Sequence, residues 1–423
     1  MALFSHSSAF TQVTALAGQR PVHAAFAWLR RNAKKIMDWQ MELVAIPAPP
    51  FGEQARSEWL VSRFVEAGLA QVHTDAAGNV FGTLAGASVA ADSSGPLIVL
   101  SAHLDTVFPA GTPLKPALSE VDGDWRLQAP GACDNAAGVV GMLALAHALV
   151  AAEFELAAPL VFMGNVGEEG EGDLRGVRLL YSKSRLAGRI AAHIVLDGAG
   201  VDSAVTQALG SRRYEVRITG PGGHSFTDAG TPNPITAMAS ALAALAQTTL
   251  PGEPRTTLNV GTIHGGTSVN SIPECATASV DFRSTSVEQL VRLEVALHRT
   301  VEDARDHFNS VAMGMQGKSR GILSAEIRKI GDRPAAGLAA DSVLLECLRA
   351  VDRHLNLKTD LRLGSTDANI PLSLGIPAIS LGAGGEGGGA HTQAEWFSAK
   401  DRDVGLKRVL LLTLAMVEWA AQQ

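Results

Sequence analysis

The chain has 423 residues, 46% of them hydrophobic, and a formal net charge of -7 at neutral pH. That length suits two domains of ordinary size, and that apolar content excludes wholesale disorder. A mildly acidic balance without a long basic run argues against a nucleic-acid partner.

Residues 1–19 lack a positive leading segment, and polar residues interrupt their apolar ones, so they do not read as a signal peptide. No apolar stretch reaches membrane-spanning length, so no membrane partner is expected. Residues 21–43 carry a rough apolar stripe (Phe26, Leu29, Ile36, Met37, Leu43) and predict one helix. The Pro47-Ala48-Pro49-Pro50 stretch ends it, because proline cannot continue a helix. A second helix is expected over residues 53–66.

The pattern then changes to short, continuous apolar runs typical of buried strands. Leu97-Ile98-Val99-Leu100 leads into His103-Leu104-Asp105. Leu160-Val161-Phe162-Met163 leads to Glu168-Glu169, and Ile194-Val195-Leu196 leads to Asp197. A helix over 136–151 lies between the first two runs. Alternating strand and helix predict an α/β domain with a mostly parallel central sheet. In such sheets ligands bind beyond the carboxyl ends of the strands, which is where these acids and the histidine fall.

From Ser211 the order becomes β-α-β-β-α-β, with strands near 214–218, 257–263, 276–282 and 322–330 and helices over 234–247 and 287–308. This split βαβ pattern reads as an inserted ferredoxin-like domain. The expected division is 1–210 and 333–423 for a discontinuous catalytic domain, with 211–332 inserted. After a helix over 341–355, the Gly-rich run at 382–389 precedes His391 and reads as a tight site loop. The three cysteines, Cys133, Cys275 and Cys347, are sparse and lack CxxC spacing. They predict free thiols in a reducing, cytoplasmic setting, with Cys133 a small buried thiol rather than a ligand.

Taken singly, each polar residue has an ordinary explanation. A His-x-Asp triplet is common, and Asp134 in its Gly-flanked turn reads as a helix N-cap. Taken together, His103, Asp134, Glu169, Asp197 and His391 make a nitrogen and oxygen donor set suited to zinc, with cobalt or manganese as alternatives. Asp105 is expected to fix the His103 tautomer by accepting from its second ring nitrogen. Adjacent acids are costly unless a cation neutralises them, so Glu169 is expected to bind metal and Glu168 to act as general base. An Asp using one oxygen for each of two metals would make Asp134 the bridge.

These motifs are His103-Leu104-Asp105-Thr106-Val107, Asp134-Asn135-Ala136-Ala137-Gly138, Glu168-Glu169, Asp197 and His391. In order and spacing they resemble the co-catalytic dinuclear zinc exopeptidase and aminoacylase family. That family includes glutamate carboxypeptidase, peptidase T, acetylornithine deacetylase and succinyl-diaminopimelate desuccinylase. The resemblance implies that His103 and Asp197 hold one metal and Glu169 and His391 the other. It also implies a bridging Asp134 with a cis peptide to Asn135. Asp at 197 leans towards the aminopeptidase and aminoacylase members.

The resemblance further implies that the inserted domain is a lid carrying a homodimer contact. His224, in Gly222-Gly223-His224-Ser225, would polarise the scissile carbonyl, although Phe226 departs from the small residue usual there. Asn270 and Arg283 would hold the substrate. Arg362 and Asp367 resemble a turn lining the cleft in the peptidase T-like branch. The activity implied is cleavage of short peptides, di- or tripeptides, by metal-activated water with Glu168 as base. Its alternatives are a deacylase or amidase acting on N-acyl amino acids and a non-catalytic metal- or peptide-binding relative.

Overall fold

The computed structural model describes residues 6–85, 95–314 and 321–423. Its chain divides into two compact units, one of Met1–Ala208 with Gly337–Gln423 and one of Leu209–Ala336. The strand Ser324–Arg333 carries the second unit past 332, so the chain returns to the first unit later than expected.

In the first unit, the strands Leu160–Asn165, Leu97–His103, Ile190–Leu196 and Ala378–Leu381 lie side by side and run parallel. All but Ile190–Leu196 are buried along their whole length, which explains their unbroken apolar runs. The sheet is parallel at its centre, as expected, and antiparallel pairings towards its sides make it mixed as a whole. Val80–Leu84 adds to Leu160–Asn165 antiparallel, and Ser203–Ala208 meets Ala378–Leu381 antiparallel. Because the central strands are parallel, His103, the Glu168-Glu169 turn and Asp197 emerge at one edge.

The helix Ala136–Ala151 is buried over most of its length against this sheet. Its N-cap is Asn135, whose Oδ1 accepts from Gly138 N at 3.1 Å and Gly198 N at 3.0 Å. Asn135 Nδ2 donates to Leu196 O at 2.8 Å, tying the helix start to the end of a central strand. A side chain at Gly138 would meet Asn135 Oδ1 at 2.2 Å, so only glycine fits this junction.

Residues 21–43 form two helices, Arg20–Arg31 and Ala33–Val44, rather than one. The break falls at Asn32, whose side chain donates to Trp28 O at 2.8 Å and competes with the helical ladder. A second, four-stranded antiparallel sheet also belongs to this unit. Its order is Glu386–Gly388, Trp396–Ser398, Asp124–Gln128, Ala117–Val121. Among the described residues no helix is long and apolar enough to cross a membrane.

The second unit is a four-stranded antiparallel sheet, ordered Thr256–Gly265, Cys275–Ser284, Gly210–Thr219, Ser324–Arg333. Helices Pro234–Ala246 and Val287–Gly314 supply the βαββαβ order. Tyr214, Val216, Ile218, Met238, Phe282, Leu293 and Leu297 form its core.

Candidate metal centre

His103 is the last residue of its strand and is buried. Its Nε2 lies 3.1 Å from Asp134 Oδ1 and 3.8 Å from Asp197 Oδ1. On the other side of Asp134, His391 Nε2 lies 3.0 Å from Oδ2 and 3.2 Å from Glu169 Oε1. The two Asp134 oxygens therefore face two different histidines, each with a second carboxylate. Donor atoms of His103, Asp134 and Asp197 all lie within 4.8 Å of one another, as do those of Asp134, Glu169 and His391. His103, Glu168 and Glu169 form a third such group. The Asp134–Asn135 peptide is cis.

Charge and burial are in tension here. Burial would lower the pKa of His103, but the neighbouring carboxylates of Asp134 and Asp197 outweigh it and raise it well above the usual value. His391 is raised to about 9, chiefly by its bond to Asp134. Burial pushes Asp134 up, yet both histidines more than offset this and hold it low. Glu169 is pushed by burial up to about 7, a rise that the two histidines oppose without cancelling. Asp134 Oδ1 is buried and accepts no hydrogen bond of good geometry, despite its nearness to His103. A bare site thus relies on protonated histidines between carboxylates. A pair of divalent cations fits this donor set: two imidazoles and three carboxylates match zinc, cobalt or manganese.

Asp105 does not serve His103 in the way the triplet suggested. His103 Nδ1 faces the backbone carbonyl of Asp105 at 3.1 Å, with the nearer carboxylate oxygen at 3.7 Å. The carboxylate instead accepts the backbone N–H of Glu168 at 3.0 Å and of Glu169 at 2.7 Å. Asp105 orients the imidazole through its main chain and the Glu168-Glu169 turn through its side chain. Cys133 is a buried thiol, pushed by burial up to about 12.

The remaining expected residues are divided between the two units. Asp367 is buried, not presented to solvent, and accepts from Asn165 Nδ2 at 2.7 Å. Arg362 sits on the exposed strand Asp360–Gly364. In the second unit, Arg283 is engaged by Asp281 at 2.7 Å, the ion pair expected of a surface strand. His224 and Asn270 do come together there. His224 pairs with Ser271 across two short strands, and Ser225 N donates to Asn270 O at 3.0 Å. His224 Nδ1 accepts from Phe226 N at 3.2 Å and Thr227 N at 3.4 Å. An Nδ1 that accepts leaves the ring proton on Nε2, so neutral His224 offers a donor there.

One residue escaped the sequence reading. Glu395 is fully buried and accepts three backbone N–H groups, from Gly131 at 2.8 Å, Cys133 at 2.8 Å and Asp134 at 2.7 Å. Burial raises its pKa, and these donors oppose the rise. The only signal was an acid directly before a short apolar strand, which reads as an ordinary turn residue.

A mixed sheet whose carboxyl edge gathers two histidine–carboxylate groups around a shared Asp is the arrangement of a metal-dependent hydrolase. The model of Peptidase family M20/M25/M40 matches residues 99–415, and the chain belongs to that family. The YqjE protein of Bacillus subtilis (strain 168), itself uncharacterised, is 24% identical over 403 residues, covering 92% of this chain and 100% of that one. A probable carboxypeptidase of Aspergillus clavatus is 30% identical over 272 residues, 60% of this chain and 58% of its own.

Among solved structures, aminopeptidase PepT of Bacillus cereus ATCC 10987 superposes with a TM-score of 0.69 at 21% identity, covering 90% of this chain and 98% of that one. A tripeptidase of Staphylococcus aureus Mu50 gives 0.67 at 22%, covering 92% and 99%. The YXEP protein of Bacillus subtilis, described as a dinuclear metal-binding peptidase of the M20 family, gives 0.62 at 16%, covering 92% and 99%. At these identities the superpositions speak for the fold.

Proposed function

We propose that this peptidase is an exopeptidase of short peptides, working with two zinc ions held by His103, Asp134, Glu169, Asp197 and His391. The observation that carries the reading is Asp134, whose two oxygens face separate histidines at 3.1 and 3.0 Å. His103 and Asp197 would hold one ion and Glu169 and His391 the other, with Asp134 shared by both groups. When bound, the metal pair supplies Lewis acidity and a more acidic water.

The residues do the rest. Glu168, held by its backbone to Asp105, takes the proton of the attacking water and returns it to the leaving amine. His224 donates from Nε2 to the carbonyl oxygen as charge develops there. Asn270, beside His224, contacts the substrate. Arg283, Arg362 and Asp367 are further candidates for substrate contact, Arg283 being oriented by its ion pair with Asp281. The tripeptidase among the structural neighbours supports the substrate class.

Hydrolysis of a panel of di- and tripeptides with free or blocked amino termini, by zinc-, cobalt- and manganese-loaded enzyme, tests the proposal. Cleavage of free peptides is expected. Cleavage confined to blocked substrates would make the protein a deacylase. Among the described residues the outer strand Thr256–Gly265 is paired on one side only, which supports a homodimer joined through the second unit; light scattering checks it. The free, largely buried cysteines support a cytoplasmic setting.

A further inference from the structure

We propose that Glu395 is a positioning residue that fixes Asp134 relative to His391 and so sets the spacing of the two metal ions. The proposal rests on the metal reading of Asp134 and His391 above. Glu395 lies on the segment that carries His391, between the strands Glu386–Gly388 and Trp396–Ser398. Trp396 pairs with Gln128, which brings Glu395 against the turn that follows Gln128. Ala129 N donates to Glu395 O at 3.0 Å, and the carboxylate then takes the N–H groups of Gly131, Cys133 and Asp134.

Both oxygens are used: Oε2 by Gly131, and Oε1 by Cys133 and Asp134 together. A neutral side chain of the same shape cannot reproduce this. An amide has one accepting oxygen, and its NH2 would confront an N–H donor. The turn is gripped from its other side as well. Gln40 Nε2 donates to Ala132 O at 2.6 Å, and Gln40 is itself held by buried Arg402. The carbonyl side of the turn is thus tied to the helix Ala33–Val44, and its N–H side to the segment bearing His391. The Glu395 side chain thus ties the N–H side of the turn to the segment that carries His391, whereas Gln40 ties its carbonyl side to a helix.

The test is zinc binding to the full chain by calorimetry, with the absorption spectrum of the cobalt-loaded protein, for wild type, Glu395→Gln and Glu395→Asp. Circular dichroism and size-exclusion chromatography establish folding. Wild type is expected to take up two equivalents. Folded Glu395→Gln should bind one equivalent about 10- to 100-fold more weakly, as for other groups that orient metal ligands. Its cobalt spectrum should also change. Glu395→Asp keeps the charge on a shorter arm and should show the same defect to a smaller degree. If Glu395→Gln does not fold, Glu395→Asp carries the test.

Wild-type affinity and spectrum in a folded variant would overturn the proposal. Failure of both variants to fold would also overturn it, by assigning Glu395 to the fold as a whole. Wild type binding no metal would instead fail the metal reading, and this proposal with it.

Discussion

The Asp105 carboxylate accepts the backbone N–H of Glu169 at 2.7 Å, and its other oxygen accepts that of Glu168 at 3.0 Å. One buried side chain thereby aims both acids of the turn, the proposed ligand and the proposed base. Asp105→Asn should leave one of these N–H groups facing an amide donor. A stability loss of about 1–3 kcal/mol is expected. Peptide hydrolysis should fall about 10- to 100-fold. Urea unfolding and steady-state kinetics check both numbers; unchanged kinetics would remove Asp105 from the positioning of the turn.

Glu168→Gln separates base from ligand. The substitution keeps size and removes the proton acceptor. Turnover should fall by about 10²- to 10⁴-fold, while bound metal stays at the wild-type level. Metal analysis of the purified variant alongside its kcat decides the matter. Equal loss of metal and activity would make Glu168 a ligand.

Asp134→Asn addresses the shared carboxylate. Loss of its charge should lower the affinity of both metal positions together, because the two groups assigned to them, His103–Asp134–Asp197 and Asp134–Glu169–His391, share it. Zinc should raise the melting temperature of the wild type, since a ligand present at a thousand times its Kd stabilises by about 4 kcal/mol. The variant should show little of that rise, and a chelator should abolish it in the wild type. Retention of one tight metal by the variant would argue against a bridge.

His193 makes the fold acid-sensitive. It is fully buried, with Nε2 2.8 Å from Ser101 Oγ and Nδ1 3.0 Å from Tyr181 OH. Burial lowers its pKa to about 3. The unfolded chain therefore takes up this proton first as pH falls. Stability is lost from about pH 6.5 downward, at about 1.4 kcal/mol per pH unit, until the folded value is reached. His193→Gln removes the titrating group while keeping polar contacts. Denaturant unfolding between pH 7 and 4 should show a correspondingly shallower slope for the variant. An unchanged slope would place the acid sensitivity elsewhere.

The strands that carry the site were legible because buried parallel strands write unbroken apolar runs, and each run ended at a candidate residue. The helix Ala136–Ala151 was legible for the same reason, with its Gly and Asn start. Asn32 was not read as a break, since its effect is a side-chain bond back to Trp28 rather than a Gly or Pro signal. The small sheet was invisible: its strands are short, Ala117–Val121 is largely exposed, and partners come from distant parts of the chain. With it went Glu395, whose meaning lies entirely in that pairing. The roles of Asp105 were misjudged because a triplet in sequence does not say which atom, main chain or side chain, faces the ring.

The small sheet also has a consequence for assembly. It closes the chain over a separation of 257 residues between His391 and Asp134, with all of the second unit inside that loop. Closing so long a loop carries an entropic cost, which grows only slowly with length. Ions gripped from both sides would act as a rivet across the closure, resisting its reopening. The same atoms that serve hydrolysis would then keep the two ends of the first unit joined.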